Sequence, residues 1–383
     1  MSTPIYLDYA AATPLDERVF AVMQPYLAEK FYNPSAAYTA AREVRRDLDT
    51  ARHELAVCIG GKRDEVILTA GATESVNLAF RGLLEPGDHV VIGATEHDAV
   101  RGIAGEYDVT FAASDNKGTI TPSAVLTAIS DKTKLVSITA ADSELGTIQP
   151  LVKIAAAIAD VRRDRVKRGV KTPLYFHSDA SQAAGVIDLH VARLGVDLLT
   201  LNAAKCYGPK QVGLLWVASH LSLKPFIPGG GQERGLRSGT ENVAGAVGFA
   251  RALQIAIRNR HTDSEQIRGL RDTLQKALTT ALPELVVNGS QKKRLPGHLN
   301  VSVKGLDAER VVFRLDSQGV QVATGAACAA NKGTRSNVLI AIGVSDSMAD
   351  GSLRFSLGRQ TTAVDIEQAS TLIVEAIRHE ASL

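Results

Sequence analysis

Short apolar runs alternate with segments of helical periodicity from about residue 15 to about residue 255. This alternation is typical of βα units, in which helices pack against a mainly parallel sheet. The apolar runs predict seven strands, at Glu65–Thr69, Asp88–Gly93, Asp108–Ala112, Lys134–Ala140, Leu174–His177, Leu198–Leu201 and Gly213–Val217. The periodic segments predict helices at Glu17–Lys30, Ala40–Ile59, Thr73–Leu84, Pro122–Ala128, Leu151–Lys167 and Gly239–Asn259.

The pattern changes from about residue 265. It predicts helices at Ile267–Leu282, Ala308–Gln318 and Ile366–Glu380, and strands at Gly297–Lys304, Val320–Ala323 and Ser352–Ser356. We therefore expect an α/β protein with a large domain over residues 15–255 and a smaller α+β domain over residues 1–14 and 256–383. No proline-rich linker or low-complexity tract separates the two, so we expect them to be held together.

Composition narrows the class of protein. A chain of 383 residues is too long for one compact core, and 45% hydrophobic with 22% charged residues is ordinary for a soluble protein. A net charge of +2 gives no reason to expect nucleic acid or an anionic membrane as a partner. The sequence shows no signal-peptide pattern and no apolar run approaching the roughly 20 residues of a membrane span. We expect a cytoplasmic protein.

Two polar residues stand at the ends of predicted strands. Asp179 follows the run that begins at Leu174, and Lys205 follows the run that begins at Leu198. Ligands of open α/β sheets bind at strand ends. A lysine there can form a Schiff base with pyridoxal phosphate while the carboxylate keeps the pyridine nitrogen protonated. A surface lysine and a helix-capping aspartate are the alternative interpretation of this pair taken alone.

Three further segments add candidate cofactor contacts. The small-residue turn Gly71–Thr73 opens a predicted helix, where backbone amides can bind a phosphate, although an ordinary helix start gives the same pattern. His97 follows the next strand and could stack on a planar cofactor and shuttle protons, or be a capping residue. Gln182, three residues beyond Asp179, could reach a phenolic oxygen of the same cofactor, or lie on the surface.

The glycine-rich segment Gly229–Thr240 precedes a long predicted helix. Glycine lets the backbone pass close to a ligand or a second subunit. An arginine and the Thr240 hydroxyl before a helix start suit a phosphate, and a plain linker is the alternative.

Cysteine usage points to thiol chemistry. Three cysteines cannot build a disulfide framework, and Cys58, Cys206 and Cys328 lack metal-ligand spacing, so we predict no metal site. Cys328 stands among small residues after a short strand, which favours a nucleophile on a loop. Cys58, on an apolar helix face, and Cys206, beside Lys205, are interpreted as structural.

Arg354 lies within a short apolar strand. A half-buried guanidinium binds a carboxylate through two parallel hydrogen bonds, and an amino-acid substrate supplies such a group. A structural salt bridge is the alternative.

Together these segments resemble the cysteine desulfurases, a group of pyridoxal-phosphate enzymes within the class V aminotransferases. The resemblance runs from Tyr6 to Arg359 and keeps the order and spacing of Gly-Ala-Thr-Glu-Ser, Thr-Glu-His, Asp-Ala-Ser-Gln, Lys-x-Tyr-Gly-Pro-Lys, Arg-Ser-Gly-Thr and Thr-Gly-Ala-Ala-Cys. The Arg-Ser-Gly-Thr motif and the cysteine loop resemble the iron–sulfur-assembly branch.

This resemblance implies a fold-type-I pyridoxal-phosphate-dependent transferase that forms a homodimer with active sites at the subunit interface. It implies removal of sulfur from L-cysteine, leaving alanine and a persulfide on Cys328 for an acceptor protein of unknown identity. By matching motif positions, Lys205 would form the Schiff base and His97 would stack on the ring. The other implied contacts are Asp179 to the ring nitrogen, Gln182 to the phenolic oxygen, Ala72 and Thr73 to the phosphate, Thr240 to the phosphate from the partner subunit, and Arg354 to the substrate carboxylate.

The chain departs from the family pattern at three places. The family has Ser-x-His before the lysine, where this chain has Asn202 and Ala204. It also has a second asparagine that contacts cofactor and substrate, where this chain has Ser143, and a histidine where this chain has Tyr38. Each lost hydrogen bond to a charged partner costs about 1.5–3 kcal/mol, so we expect weaker cofactor binding. Asn202 stays a candidate cofactor contact and Ser143 a candidate substrate contact, while Thr73, Thr240, the amides of Gly71–Thr73 and Lys205 remain.

Two other functions are compatible with these residues. One is another pyridoxal-phosphate-dependent lyase or transaminase of the same fold, which would not require Cys328 for turnover. The other is a weakly active scaffold in a sulfur-transfer assembly. A visible cofactor absorbance that depends on Lys205 would argue against a scaffold.

Overall fold

The computed structural model describes residues 4–325 and 335–382. The strands in this part of the chain are β1 (Ile5–Tyr6), β2 (Val66–Thr69), β3 (His89–Gly93), β4 (Asp108–Ala112), β5 (Thr133–Ser137), β6 (Tyr175–Asp179), β7 (Leu198–Asn202), β8 (Gly213–Val217), β9 (Val286–Asn288), β10 (His298–Ser302), β11 (Val320–Gln321), β12 (Ala323–Thr324) and β13 (Ser352–Ser356).

Helices cover both sheets. They are α1 (Glu17–Met23), α2 (Pro25–Ala28), α3 (Thr39–Cys58), α4 (Ala72–Leu83), α5 (Asp98–Ala104), α6 (Pro122–Ala128), α7 (Leu151–Arg168), α8 (Val191–Leu194), α9 (Val243–Ala281), α10 (Ala308–Ser317), α11 (Asn337–Ala341), α12 (Asp346–Asp350) and α13 (Ala363–Ala381). No helix in the described part of the chain is both long enough and apolar enough to cross a membrane.

The larger sheet has seven strands in the order β2-β8-β7-β6-β5-β3-β4. Strands β4, β3, β5, β6 and β7 pair in parallel, and β8 runs antiparallel to β7 and β2. Apolar side chains on both faces pack under helices, with Phe176 in one core and Phe80 in the other. The predicted α/β fold with a mainly parallel seven-stranded sheet is therefore confirmed.

A four-stranded antiparallel sheet, in the order β12-β13-β10-β9, forms the centre of the C-terminal region. Its strands alternate between two kinds of side chain. Leu299 and Phe355 face a core built with helices α9, α10 and α13. Asn300 and Arg354 pair across the strands on the opposite face, and both are buried although they are polar. The polar face is thus covered by protein and not by water.

The N-terminal segment joins this C-terminal region. Strand β1 pairs in parallel with β11, with Ile5 opposite Val320. The chain then continues along β13, where the Ser356 amide donates to the Leu7 carbonyl at 2.7 Å and the Tyr9 amide donates to the Ser356 carbonyl at 3.1 Å. The first residues of the chain therefore line the junction between the two sheets.

Helix boundaries differ from the sequence prediction in two places. The single helix predicted from Glu17 to Lys30 is divided into α1 and α2 at Pro25, because proline cannot donate a hydrogen bond within a helix. The two helices predicted on either side of residues 260–266 are one helix, α9. That polar stretch contains no glycine or proline, and it continues the helix between two cores. The proposed domain boundary near residue 255 falls inside α9 and stays a prediction.

Candidate active site

The ends of three strands of the larger sheet, the neighbours β6 and β7 and the more distant β3, carry the predicted cofactor residues. Asp179 is the last residue of β6, Lys205 lies in a short turn directly after β7, and His97 follows β3. The Lys205 ammonium donates to the carbonyls of Ala10 and Ala11 at 2.7 and 2.6 Å. The lysine is therefore directed toward the N-terminal segment at the sheet junction.

The turn that carries Lys205 is clamped on both sides. Asn202 caps it by accepting from the Ala204 amide at 3.1 Å. The Thr13 hydroxyl donates to the Ala204 carbonyl at 3.0 Å and accepts from the Tyr207 amide at 2.8 Å. Because the Asn202 oxygen is engaged, its amide nitrogen is the group left to donate to a ligand.

Asp179 and Gln182 lie on one short turn after β6. The Asp179 side chain is 8% exposed and accepts from the Ser181 amide at 2.9 Å. The Gln182 amide nitrogen donates to the Ala10 carbonyl at 3.0 Å, the same oxygen that accepts from Lys205. Ala10 therefore joins the two ligand candidates, and the sequence patterns gave no sign of this role.

His97 caps helix α5, with Nδ1 accepting from the Ala99 amide at 3.1 Å. This bond places the proton of the neutral imidazole on Nε2. Loss of water around the ring lowers the pKa of His97. The positive charge of Lys205 lowers the pKa further, while the negative charge of Asp179 opposes both effects. The imidazole is neutral at pH 7.

Helix α4 begins at Ala72, directly after Gly71. The first amides of a helix have no partner within the helix, and they attract anions. A side chain built on Gly71 would meet nothing within 4 Å, so the space beside these amides is open, and Thr73 is exposed next to it. The donors suit a phosphate group.

The glycine-rich segment is held by ion pairs. Arg237 donates to Glu74, in the first turn of α4, at 2.7 Å, and not to an open anion site. Glu233 is 8% exposed and accepts from Arg52 at 2.5 and 2.6 Å. Thr240 is exposed beyond these pairs. The linker interpretation is wrong for this segment, and the partner-subunit role of Thr240 stays a prediction.

Arg354 reaches the site from the polar face of the smaller sheet. It is 4% exposed and donates to the Asp8 carboxylate at 2.7 Å and to the Ser143 carbonyl at 3.3 Å. Its buried Nε has no hydrogen-bond partner among the described residues. The structural salt bridge is therefore present, and Nε remains a donor for a carboxylate.

Buried carboxyl groups surround the site, and the sequence did not reveal them as a group. Burial raises the pKa of Asp142 to about 6 and that of Glu144 to about 8, and the Asp142 charge also raises the latter. Burial likewise raises the pKa of Glu96 well above its usual range, although its hydrogen bond from the Thr139 amide opposes this. Glu144 is therefore neutral at pH 7.

A cleft with a volume of about 90 Å³ opens between the two sheets beside Lys205. Its polar lining includes Gln182, His298 and Arg359. Burial lowers the pKa of His298 to about 3, so this imidazole is neutral. Over residues 4–325 and 335–382, no group of three histidine, cysteine or carboxylate side chains could hold a metal ion.

The predicted nucleophile Cys328 lies outside the described residues. The other two cysteines are unsuited to nucleophilic chemistry. Burial raises the pKa of the Cys58 thiol to about 11 and that of Cys206 to about 12. Both are therefore thiols at neutral pH, and the thiolate is the reactive form.

Comparison with known proteins places this site in a family. The family described as aminotransferase class-V matches residues 5–369 of the chain. A protein of Dictyoglomus turgidum (strain DSM 6724 / Z-1310) named cysteine desulfurase IscS is 37% identical over 390 residues, covering 99% of this chain and 96% of that protein.

Solved structures share the fold. One described as a NifS-like protein superposes with a TM-score of 0.89 at 29% identity, covering 98% of this chain and 100% of that one. Another, described as SspA in complex with cysteine, has a TM-score of 0.77 at 31% identity, with 93% and 99% covered. The likeness extends over nearly the whole length of each protein.

Proposed function

The chain belongs to the aminotransferase class-V family and, within it, to the IscS-type cysteine desulfurases, and from this premise we propose how its own residues remove sulfur from L-cysteine. The observation that carries the proposal is the convergence of the site residues at strand ends. Lys205 and Gln182 both donate to the Ala10 carbonyl, at 2.7 and 3.0 Å, and Asp179 ends β6 three residues before Gln182.

We infer that the cofactor is pyridoxal 5'-phosphate, because the donor set suits each of its groups. The Lys205 amine suits its aldehyde, the Asp179 carboxylate its ring nitrogen, and Gln182 its phenolic oxygen. The amides of Ala72 and Thr73 suit its phosphate. When bound, the cofactor would act as an electron sink that stabilises negative charge on the substrate carbon. The Asn202 amide nitrogen is a further donor on this side.

The substrate is held on the opposite wall. Arg354 binds the carboxylate of L-cysteine with its unpartnered Nε, while Asp8 and the Ser143 carbonyl fix the plane of the guanidinium. Lys205 and His97 hold and move the protons that the reaction needs. Asp8 is the residue of this wall whose role the sequence patterns did not indicate.

Cys328 receives the sulfur. The carbon–sulfur bond of the substrate breaks, the sulfur atom joins the Cys328 thiol as a persulfide, and a proton reaches the freed carbon to give L-alanine. One L-cysteine and one thiol thus give one L-alanine and one persulfide, with no external oxidant or reductant. The persulfide is then available to an acceptor protein.

A homodimer completes the site. Apolar side chains near the N-terminus are exposed in the single chain: Leu27 by 62%, Phe31 by 69% and Tyr38 by 53%. Contiguous apolar surface of this kind is typical of protein interfaces. Burying it against a second copy brings that copy's Thr240 to the phosphate. One chain has a mass of 40.6 kDa, and sedimentation should give twice that mass.

The test is release of L-alanine from L-cysteine, with and without added pyridoxal phosphate. Replacing each cysteine by serine in turn should abolish turnover for Cys328→Ser and retain it for Cys58→Ser and Cys206→Ser. Turnover by Cys328→Ser would reject the persulfide assignment and favour another lyase of the same fold. No alanine from the wild-type protein would reject the function.

A further inference from the structure

The segment that carries Lys205 folds back on itself. The carbonyl of Ala203 accepts from the amides of Cys206 and Gly208, at 3.1 and 2.9 Å. A side chain at position 208 would lie 2.8 Å from the Ala203 carbonyl oxygen, so this close return of the chain requires glycine. Lys205 stands in the middle of this closed segment, Ala203–Gly208, which we call the lysine turn.

Tyr207 closes the lysine turn in an unusual backbone conformation. Its φ is 63°, in the left-handed region that glycine accepts and that residues with a side chain disfavour. Such a conformation persists only where surrounding contacts hold it. The Tyr207 amide donates to the Thr13 hydroxyl at 2.8 Å, and its carbonyl accepts from the Asp16 amide at 3.1 Å. The N-terminal segment therefore holds the backbone of the tyrosine.

Arg359 holds the side chain of the same tyrosine. Its backbone amide donates to the Tyr207 hydroxyl at 2.6 Å, and its guanidinium carbon lies 4.2 Å from the centre of the tyrosine ring. A cation in this position is attracted by the face of the ring. A side chain at position 358 would lie 2.5 Å from the Tyr207 hydroxyl oxygen, so Gly358 permits this approach. One residue thus contacts both the hydroxyl and the ring face.

Two carboxylates fix the Arg359 guanidinium over the ring. Its Nε donates to Asp263, in helix α9, at 2.6 Å, and its Nη1 lies 3.5 Å from the carboxylate of Asp16, which caps α1. The side chain of Arg359 is only 16% exposed, so bulk water screens these pairs weakly. The position of the guanidinium is therefore set by two helices as well as by the tyrosine.

We propose that Arg359 is a positioning residue for Lys205, because it holds Tyr207 in the left-handed conformation that closes the lysine turn. The proposal rests on the proposed function and concerns the attachment of the cofactor. In that step the neutral Lys205 amine adds to the aldehyde of pyridoxal phosphate, a carbon–nitrogen double bond replaces the carbon–oxygen double bond, and one water leaves. We assign Arg359 no contact with the cofactor. It raises the fraction of molecules in which the amine is oriented for this reaction.

A purely structural role for Arg359 predicts a different outcome. It would lower thermal stability without a specific effect on Lys205. Pyridoxine 5'-phosphate distinguishes the two roles, because it has the ring and the phosphate of the cofactor but an alcohol in place of the aldehyde. It therefore cannot join the lysine. Its dissociation constant measures the cofactor site, and the rate at which pyridoxal phosphate joins Lys205 measures the orientation of the amine.

The test uses the full-length protein after its cofactor has been removed. Visible absorbance follows the attachment of added pyridoxal phosphate, and borohydride reduction with mass spectrometry locates the bond at Lys205. Arg359→Ala should slow attachment by about tenfold, because the contact with the ring face is lost. The dissociation constant of pyridoxine 5'-phosphate should change by less than about twofold, since Arg359 is not assigned to the ring or phosphate.

Arg162→Ala is the matched control. Arg162 is partly buried, pairs with Asp197 and donates to the Leu174 carbonyl at 2.8 Å. These contacts lie at the start of β6, whose other end carries Asp179. The variant also removes an ion pair between an arginine and an aspartate, so it should lower the midpoint of thermal unfolding. It should leave the attachment rate unchanged.

Substitutions of Tyr207 test the backbone part of the proposal. Tyr207→Ala and Tyr207→Gly both remove the ring, but only alanine still disfavours the left-handed conformation. Tyr207→Gly should therefore attach the cofactor about fivefold faster than Tyr207→Ala. Arg359→Ala with Tyr207→Ala should be about as slow as Tyr207→Ala alone, because both substitutions remove one contact.

Four results would each overturn the positioning role. They are a wild-type attachment rate in Arg359→Ala, an equal loss of pyridoxine 5'-phosphate binding in that variant, an equally slow Arg162→Ala, and a Tyr207→Gly variant no faster than Tyr207→Ala. Wild-type protein that forms no bond between Lys205 and pyridoxal phosphate would instead reject the proposed function.

Discussion

The two sheets of this protein present functional groups in different ways. The seven-stranded sheet packs apolar side chains under helices on both faces, and Asp179 and Lys205 stand at the ends of its strands. The four-stranded sheet is apolar on one face and buries a polar row on the other, where Asn288, Asn300 and Arg354 lie opposite one another. The larger sheet therefore presents its functional groups at the ends of its strands, called the edge below, and the smaller sheet presents them on one face.

The side chains of the two sheets are oriented by different parts of the structure. Groups at a strand end are oriented by local turns, as Asn202 and Thr13 orient the turn of Lys205. Groups on a sheet face are oriented by strand register, because a slip of one residue would turn Arg354 toward the apolar core. We therefore expect substitutions at the strand ends to change catalytic activity with little loss of folding stability. Substitutions on the sheet face should change both catalytic activity and folding stability.

The largest effect is expected at the edge. Lys205→Ala removes the amine that we assign to the cofactor, so turnover should fall by at least about a thousandfold and the visible cofactor band should disappear. Lys210→Ala is the control, since that lysine donates to the Thr13 carbonyl at 3.4 Å and is not assigned to the cofactor. Alanine release and absorbance measure both variants. A surviving band in Lys205→Ala would place the cofactor elsewhere.

On the face, Arg354→Lys keeps the charge but loses the planar fork. The half-saturating L-cysteine concentration should rise by about thirtyfold, which corresponds to about 2 kcal/mol. Arg165→Lys is the matched control, because Arg165 is 2% exposed and donates to the Thr133 carbonyl at 3.0 Å, far from the site. It should lower thermal stability and leave the half-saturating concentration unchanged. An unaltered value in Arg354→Lys would make the Asp8 pair purely structural.

Asp142 is a buried carboxyl group next to Ser143, whose carbonyl accepts from Arg354. Asp142→Asn should stabilise the protein at high pH. Burial raises the pKa of Asp142 to about 6, so its charge destabilises the folded state as the pH rises through that value. Asparagine keeps the acceptor for the Glu144 and Leu145 amides without the charge. The free energy of unfolding should rise by about 2 kcal/mol at pH 8 and stay unchanged near pH 4.

Asp131→Asn is the control of opposite sign. Arg168 lowers the pKa of Asp131, so its stabilising contribution is present above the unfolded pKa and lost as the pH falls. This variant should gain nothing at pH 8. Denaturant titration at pH 4 and pH 8 measures the free energy of unfolding of both variants. An increase in Asp142→Asn that is as large at pH 4 as at pH 8 would exclude the charge as its cause.

The smallest effect is expected from restoring edge donors. Asn202→Ser with Ala204→His should lower the dissociation constant for pyridoxal phosphate by about tenfold, since the histidine adds a donor that Ala204 lacks and the serine restores the hydroxyl of the family pattern. Titration of the purified protein, followed at the cofactor absorbance, measures this. Full occupancy before titration, with no gain in the double variant, would show that other donors compensate.

The functional groups at the strand ends could be predicted from the sequence, whereas on the buried polar face only Arg354 could. Asp179 and Lys205 each end an apolar run, and such an end is visible without any long-range contact. The β10 sequence His298–Ser302 alternates like an ordinary half-exposed strand. Its polar side chains are buried because the larger sheet and the N-terminal segment cover them, and this depends on how distant parts of the chain pack.

The same limit applies to single contacts. The pairs Asp8 with Arg354 and Glu144 with Ser336 join residues far apart in the chain. Each partner alone resembles a surface residue in the sequence. Helix α9 was divided in the sequence interpretation because local periodicity weakens where the helix passes from one core to another.

The pairing of β1 with β11 has a consequence for synthesis on the ribosome. Ile5 emerges first, but its partner Val320 emerges roughly 315 residues later, which takes roughly 15 to 60 seconds of elongation. Until then Ala10 and Ala11 have no sheet to hold them against the Lys205 turn. A nascent chain can therefore complete its large sheet while its reactive amine still lacks the carbonyls that orient it, and the site is completed only after Val320 has been added.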